Sequence, residues 1–173
     1  MTVLAVLKDP DPRLREVATP VEQVTTEVQR LVDDMFETMQ TTGTGIGIAA
    51  PQVGVSLRIF VLNVASQKLT FINPVIVERR GEIDSQEGCL SLPYRTFQIK
   101  RAVGVRVKAI DRNGKSFERH ASGLEAMAIQ HENDHLNGVL MTDKGIDITK
   151  HLPPRVWKSS SAKAKRRRQS TRA

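Results

Sequence analysis

Apolar residues recur at helical spacing near the start of the chain, between about Thr26 and Met39. Charged side chains fill most of the positions between them, so one face of a helix would be apolar and the other charged. The pattern predicts an amphipathic helix packed against a core, with Thr26 and Gln29 as capping residues. Its apolar face comprises Val28, Leu31, Val32, Met35, Phe36 and Met39.

The centre of the chain alternates apolar and polar residues with the period of two that is typical of half-buried β-strands. The dipeptide Asn113-Gly114 is a strong hairpin-turn signal, so the segments on either side of it are predicted to pair. Asn73-Pro74 interrupts another strand, because proline lacks the amide that a ladder needs. The predicted strands are 58–64, 69–77, 103–109 and 115–120.

A second helical pattern begins after Ser122. Ser122 and Glu125 have the spacing of a capping box, and Gly138 stands where a helix commonly ends. Residues three and four apart share one helix face, and here two histidines follow three apolar residues. That face carries Leu124, Met127, Ala128, His131 and His135.

The segment from His131 to His135 has the pattern His-Glu-x-x-His. Two histidines four apart on a helix can bind one metal ion, and the glutamate beside them can take a proton from a water that the metal activates. Histidines with this spacing also occur by chance as ordinary core residues. A catalytic metal usually has three protein ligands, so this interpretation depends on a third ligand.

The usual third ligands of His-Glu-x-x-His proteases are missing. Met141 stands where one common pattern has its last histidine, and no glutamate follows Glu132. Both observations disfavour a protease. Cys89 is the only cysteine, and a thiolate is a strong ligand for a soft or borderline divalent metal. Cys89 is therefore the remaining candidate, with an inert buried thiol as the alternative.

The segment 45–52 is rich in small residues, and Gly45, Gly47 and Ala50 formally match a dinucleotide-binding fingerprint. That fingerprint should follow a strand and open a helix, whereas this segment follows a predicted helix and meets Pro51. We therefore reject a dinucleotide site. The small residues favour a loop or strand that lets a ligand approach the backbone, with Gln52 as the polar group that it presents.

Composition favours one domain with a charged tail. The 173 residues are 39% hydrophobic and 26% charged, as in soluble globular proteins. The net charge of +7 comes from residues 155–173, which hold eight of the 26 basic residues and no acidic one, so that 18 basic residues face 19 acidic ones elsewhere. We predict a single catalytic domain over 1–150 and a disordered basic tail over 151–173.

The sequence predicts a cytoplasmic protein. No apolar run is long enough to span a membrane, and the first ten residues do not resemble a signal or transit peptide. A single cysteine agrees with a reducing compartment.

Three segments together resemble the signature motifs of the peptide deformylase family: 45–52, 87–91 and 130–135. They occur in the family's order and approximate spacing, and the resemblance runs from about residue 2 to residue 143. It implies an α+β fold in which antiparallel sheets pack around the His-Glu-x-x-His helix. It also implies a metal-dependent hydrolase that removes the N-formyl group from the formylmethionine of nascent polypeptides and releases formate.

The resemblance implies a role for each motif. Glu132 would be the general base and acid, while the Gln52 amide and the Leu90 N–H would stabilise the oxyanion. The metal would be Fe²⁺ in the cell, with Zn²⁺, Ni²⁺ or Co²⁺ able to replace it. Its ligands would be Cys89, His131 and His135.

The resemblance also implies how the N-formylmethionyl peptide binds. The peptide would lie as an added strand beside Gly45 and Gly47. Its methionine would enter an apolar pocket. Met127 is one of the pocket residues, although a place in the core is the firmer expectation for it. The pocket residues would be Ile46, Leu124, Met127 and Ala128.

Some features depart from the family. Ser85 stands where an apolar pocket residue is frequent, and Asn133 where the motif usually has an apolar residue. The basic tail replaces a long C-terminal helix that is implicated in ribosome docking in bacterial relatives. The tail is therefore predicted to contact ribosomal RNA, with a solvated tail as the alternative. We expect a monomer; a metallopeptidase and a non-catalytic ribosome-binding paralogue are the competing functions.

Overall fold

The computed structural model describes residues 1–43 and 45–151. These ranges contain three α-helices and eight strands, and the strands form two antiparallel sheets, which confirms the predicted α+β class. The helices are α1 (Thr26–Thr42), α2 (Gly123–Leu136) and α3 (Met141–Lys144). The strands are β1 (Gly47–Ala49), β2 (Ile59–Val64), β3 (Gln67–Arg80), β4 (Ile83–Cys89), β5 (Leu92–Arg101), β6 (Gly104–Ile110), β7 (Ser116–Ser122) and β8 (Ile146–Asp147).

The larger sheet has the strand order β1-β2-β3-β6-β7, and the smaller one has the order β4-β5-β8. Alternate residues of β2 enter different cores. Phe60 and Leu62 pack with α2, whereas Ile59 and Val61 pack with α1, so the two helices cover opposite faces of the larger sheet. This two-sided burial explains why β2 is apolar at four successive positions.

Helix α1 buries the predicted apolar face, with Leu31 half-buried at its margin. The predicted cap was wrong by one residue. Thr25 is the N-cap and accepts a hydrogen bond from the Val28 amide at 3.4 Å, while the Gln29 side chain donates to the carbonyl of Arg112 instead. Either threonine suits an N-cap, and the neighbouring chain decides which one takes the extended conformation.

The predicted strands are present, although β3 is longer than the alternation indicated. Asn73 has a positive φ of 51°, and the register shifts between Ile72 and Val75, so the predicted interruption is confirmed as a bulge. The hairpin between β6 and β7 is also confirmed, with Gly114 at φ 82°. A glycine fits there because a side chain is strained at that φ.

Helix α2 begins at Gly123 without the predicted capping box. Ser122 is the N-cap, but its side chain makes no capping bond, and Glu125 binds Arg119 of β7. The box fails because Glu125, which would have to reach back to Ser122, is instead bound by Arg119. The predicted end is confirmed: Leu136 is the last helical residue, and Gly138 has φ 68°.

No helix within residues 1–43 and 45–151 combines the length and the apolar character needed to cross a membrane. Most of the predicted basic tail, residues 152–173, lies outside the described part of the chain.

Candidate active site

The side chains of Cys89, His131 and His135 meet at the end of β4, beside α2. One potential ligand atom from each residue lies within 4.8 Å of the other two. Cys89 Sγ is 3.2 Å from His135 Nε2, and the centroids of the two imidazole rings are 5.1 Å apart. The expected grouping of a thiol with two imidazoles is therefore present in the fold.

Local structure explains why the three residues converge. The histidines are four apart on α2 and so project from one side of it. Cys89 is the last residue of β4, and Leu90 and Ser91 form the short connection to β5. The register between β4 and β5 shifts between Glu87 and Cys89, and such a bulge redirects the side chains that follow it.

Glu87, which was not among the predicted site residues, fixes the orientation of His131. Its Oε2 lies 2.8 Å from His131 Nδ1, which donates to it, so Nε2 is the nitrogen that would bind a metal. Arg101 holds Glu87 through two further bonds of 2.8 and 2.9 Å, and its third contact, at 2.6 Å, is with Asp134 on α2. We call Glu87, Arg101 and Asp134 the buried ion cluster.

Neighbouring charges and hydrogen bonds shift the pKa values of Glu87, His131 and Cys89. Burial alone would raise the pKa of Glu87, but hydrogen bonds from Arg101 and His131 outweigh burial and lower it to about 2. For His131, burial favours the neutral ring, yet its bonds to Cys89 and Glu87 raise the pKa well above the usual value. Burial likewise opposes ionisation of Cys89, and the nearby His135 and His131 lower its pKa well below the usual value. The thiol is thus prepared to act as a thiolate.

Glu132 lies beside the two histidines and is 4% exposed. Burial raises its pKa to about 7. Its Oε2 is buried and has no hydrogen-bond partner among the described residues. A carboxylate in this condition is suited to exchange a proton near neutral pH.

Gly47 makes room for Glu132. A Cβ atom at Gly47 would lie 2.5 Å from Glu132 Oε1 and 2.6 Å from Leu62 Cδ2, both far inside contact distance. At Gly45, the equivalent atom would meet its nearest neighbour, Leu90 Cδ1, at 3.3 Å, so the constraint there is milder. The sequence predicted that small residues in this segment allow a close approach, and at Gly47 one partner is a carboxylate of this chain.

Gln52 is buried with its amide aimed at the cluster of metal-ligating side chains. Its Oε1 accepts a hydrogen bond from the Ala49 amide at 2.9 Å, which fixes the orientation of the side chain. Its Nε2 lies 3.2 Å from Ser91 Oγ and 3.5 Å from Cys89 Sγ. Gln52 and Leu90 therefore stand at the same end of the site as Cys89.

The predicted pocket residues differ in their exposure. Leu124 and Ile46 are 56% and 37% exposed, which leaves apolar surface open to a ligand. Met127 is half-buried, whereas Ala128 packs in the core with Phe60 and other residues of the larger sheet. Of the two residues that depart from the family pattern, Ser85 is buried and Asn133 is half-buried.

The donor set fits a divalent metal. A thiolate and two imidazoles suit Fe²⁺, Zn²⁺, Ni²⁺ and Co²⁺, and a set of three leaves a coordination position open for catalysis. The carboxylate of Glu87 orients one of the two imidazoles, as is usual for metal-binding histidines.

Comparisons with known proteins identify the family of the chain. The polypeptide deformylase family model matches residues 3–151. A peptide deformylase from Legionella pneumophila is 42% identical, with a TM-score of 0.81 over 87% of this chain and 90% of that one. A peptide deformylase from Thermotoga maritima is 37% identical, with a TM-score of 0.81 over 83% of this chain and 98% of that one.

A third similar structure contains a ligand. It is the peptide deformylase from Ehrlichia chaffeensis in complex with actinonin, which is 39% identical with a TM-score of 0.81, over 83% of this chain and 89% of that one. The family match covers most of the chain, and the solved structures share its fold at substantial identity. The chain therefore belongs to the polypeptide deformylase family.

Proposed function

We propose a residue-level account of the family's reaction, the removal of the N-formyl group from the formylmethionine of nascent polypeptides with release of formate. The observation that carries it is the meeting of Cys89, His131 and His135 beside the buried, unpartnered carboxylate of Glu132 in the described part of the chain. A metal-ligand set next to a proton acceptor is the arrangement that metal-assisted amide hydrolysis requires.

The metal would be held by the thiolate of Cys89 and by the imidazoles of His131 and His135. A divalent ion bound there supplies Lewis acidity, which acidifies water and polarises a carbonyl group. We propose Fe²⁺ as the ion used in the cell, with Zn²⁺, Ni²⁺ or Co²⁺ as substitutes, because all four suit this donor set.

Glu132 would move the proton. With a pKa near 7 in a buried environment, it can accept a proton from the attacking water and deliver it to the departing amine. Gly47 leaves the space that the carboxylate needs on the side facing β1.

Gln52 and Leu90 would receive the negative charge that develops on the formyl oxygen. The Ala49 amide holds the Gln52 oxygen, so the NH₂ group of Gln52 is directed towards Cys89 and Ser91. A donor fixed before the reaction needs no reorganisation during it, and losing one such donor typically costs ~10²–10³ in rate.

The peptide would add to the outer edge of β1, which is the last strand of the larger sheet among the described residues. The Ile46 carbonyl accepts a bond from the Asn63 amide at 2.8 Å, so the polar groups of Ile46 and Ile48 face β2. Backbone groups alternate in direction along a strand, so those of Gly45 and Gly47 face the outer edge. The exposed side chains of Ile46 and Leu124, with Met127, would contact the methionine.

The reaction is tested by anaerobic purification, metal analysis and a formate-release assay on formyl-Met-Ala. The Glu132→Gln variant should keep its metal and lose turnover. Glu125→Gln is a matched control, because Glu125 lies on the same helix and binds Arg119 rather than a residue of the site. Activity that survives in Glu132→Gln would contradict the mechanism, and cleavage of unformylated peptides would indicate a metallopeptidase.

We also propose that the protein is a cytoplasmic monomer and that its basic tail binds ribosomal RNA phosphates. Eight basic residues and no acidic residue lie within 155–173. Binding through phosphates weakens steeply as salt rises. Co-sedimentation of ribosomes with the full chain and with a 1–154 truncation tests the tail: equal, salt-insensitive binding of both would contradict it.

A further inference from the structure

Three consecutive residues near the N-terminus each donate a hydrogen bond to the segments that carry Gln52 and Leu90. The Leu7 amide donates to the Gln52 carbonyl at 2.8 Å, and the Asp9 amide donates to the Ser91 carbonyl at 3.0 Å. Lys8 Nζ donates to the Leu90 carbonyl at 2.5 Å. We call residues 7–9 the N-terminal brace.

The brace is itself anchored to the rest of the fold. Before it, the Leu4 amide donates to Thr38 Oγ1 of α1 at 2.8 Å. After it, Leu14 is buried and the Ala18 amide donates to the carbonyl of Leu136, the last residue of α2, at 2.9 Å. The brace therefore connects the segments of the two proposed oxyanion donors to α1 and α2.

We infer that Lys8 is a positioning residue for the oxyanion donors, an inference that rests on the proposed roles of Gln52 and Leu90. Holding the Leu90 carbonyl restrains the planar peptide unit between Leu90 and Ser91. The Leu90 N–H lies in the preceding peptide unit, which is joined to this one at the Cα of Leu90, so fixing one unit restricts the backbone rotations that would turn the other. Lys8 is the member of the brace that a substitution can test, because the other two donors are backbone amides.

The size of the effect follows from the exposure of Lys8. Water competes for an exposed ammonium group, so the bond contributes as an ordinary net hydrogen bond does. Removing it should lower kcat by roughly 3- to 10-fold. Since the donors act on the transition state, kcat and kcat/KM should fall together while KM stays unchanged.

The test compares Lys8→Met, which keeps the aliphatic stem, with Lys8→Arg, which keeps a donor, in the metal-loaded protein. Lys115→Met, at the exposed β6–β7 turn, is the control. We expect lower kcat, unchanged KM and metal content, and faster amide hydrogen exchange across 88–93 in Lys8→Met. Lys8→Arg should restore both kcat and exchange protection.

Unchanged kcat and unchanged amide hydrogen exchange in Lys8→Met would overturn the inference. A change in KM alone would also overturn it, as would an equal fall of kcat in Lys115→Met. Failure of the proposed function can be told apart from failure of this inference. In that case the wild-type protein would release no formate, while hydrogen exchange could still be compared between the wild type and Lys8→Met.

Discussion

Gly47→Ala tests whether the space at Gly47 is what allows Glu132 to work. The added Cβ would lie 2.5 Å from Glu132 Oε1, and ordinary contact begins at 3.4 Å, so the carboxylate must move by about 0.9 Å. The new methyl group would also lie 2.6 Å from Leu62 Cδ2, so a second side chain crowds it.

A displacement of about 1 Å from the productive position can cost on the order of 10²-fold in rate. We therefore expect kcat to fall about 100-fold in Gly47→Ala, with a loss of about 1–3 kcal/mol in the free energy of unfolding from overpacking. Formate release and urea unfolding measure the two effects. Gly104→Ala is the matched control, because its Cβ would meet its nearest neighbour, the Ala121 carbonyl, at 3.5 Å. Near-wild-type kcat in folded, metal-loaded Gly47→Ala would refute the reasoning.

Three further predictions concern stability and metal binding. Gly138→Ala should lose about 2–4 kcal/mol in urea unfolding, since its Cβ would lie 2.3 Å from the Arg15 carbonyl. Gly43→Ala has a similar φ, but its Cβ would meet no atom of the described residues within 4 Å, so it should lose only about 1 kcal/mol. The pKa of Glu87 is about 2 in the folded protein and 4.5 in the unfolded chain, so its ionisation adds roughly 3 kcal/mol to the free energy of unfolding above pH 4.5. This stabilisation is lost as the pH falls towards 2. The metal-free Glu87→Gln variant should lack this part of the pH dependence when urea unfolding is measured. Losing a residue that hydrogen-bonds to a metal ligand typically lowers metal affinity ~10–100-fold. Cys89→Ala removes a proposed ligand itself, so it should lower metal affinity by more than that, as measured by competition with a chelator.

The elements that the sequence predicted well are those governed by local spacing. Two histidines four apart must share a helix face, Gly138 suits a helix end, and Asn113-Gly114 suits a hairpin, whatever surrounds them. The capping box failed because a partner from another element, Arg119, took Glu125. Periodicity does not indicate such competition between elements.

Contacts between distant parts of the chain escaped prediction for the same reason. Glu87 and His131 are 44 residues apart, and Lys8 and Leu90 are 82 apart. Glu87 lies within a recognised motif, and its position two residues before Cys89 was the available signal for a role at the site. Nothing in the local pattern around Lys8 distinguishes it from other surface lysines.

The buried ion cluster has a consequence for His131 as a ligand. It contains two carboxylates, Glu87 and Asp134, and one guanidinium, Arg101, and the exposed Lys144 compensates Asp134 at 2.6 Å. Because Lys144 balances Asp134, Arg101 balances Glu87, and Glu87 also bonds to the imidazole of His131. A carboxylate bonded to Nδ1 makes Nε2 a better electron donor and fixes the ring in place. The cluster thus links β4, which ends at Cys89, to α2, which carries both histidines. It therefore helps to fix the positions of the proposed ligands relative to one another.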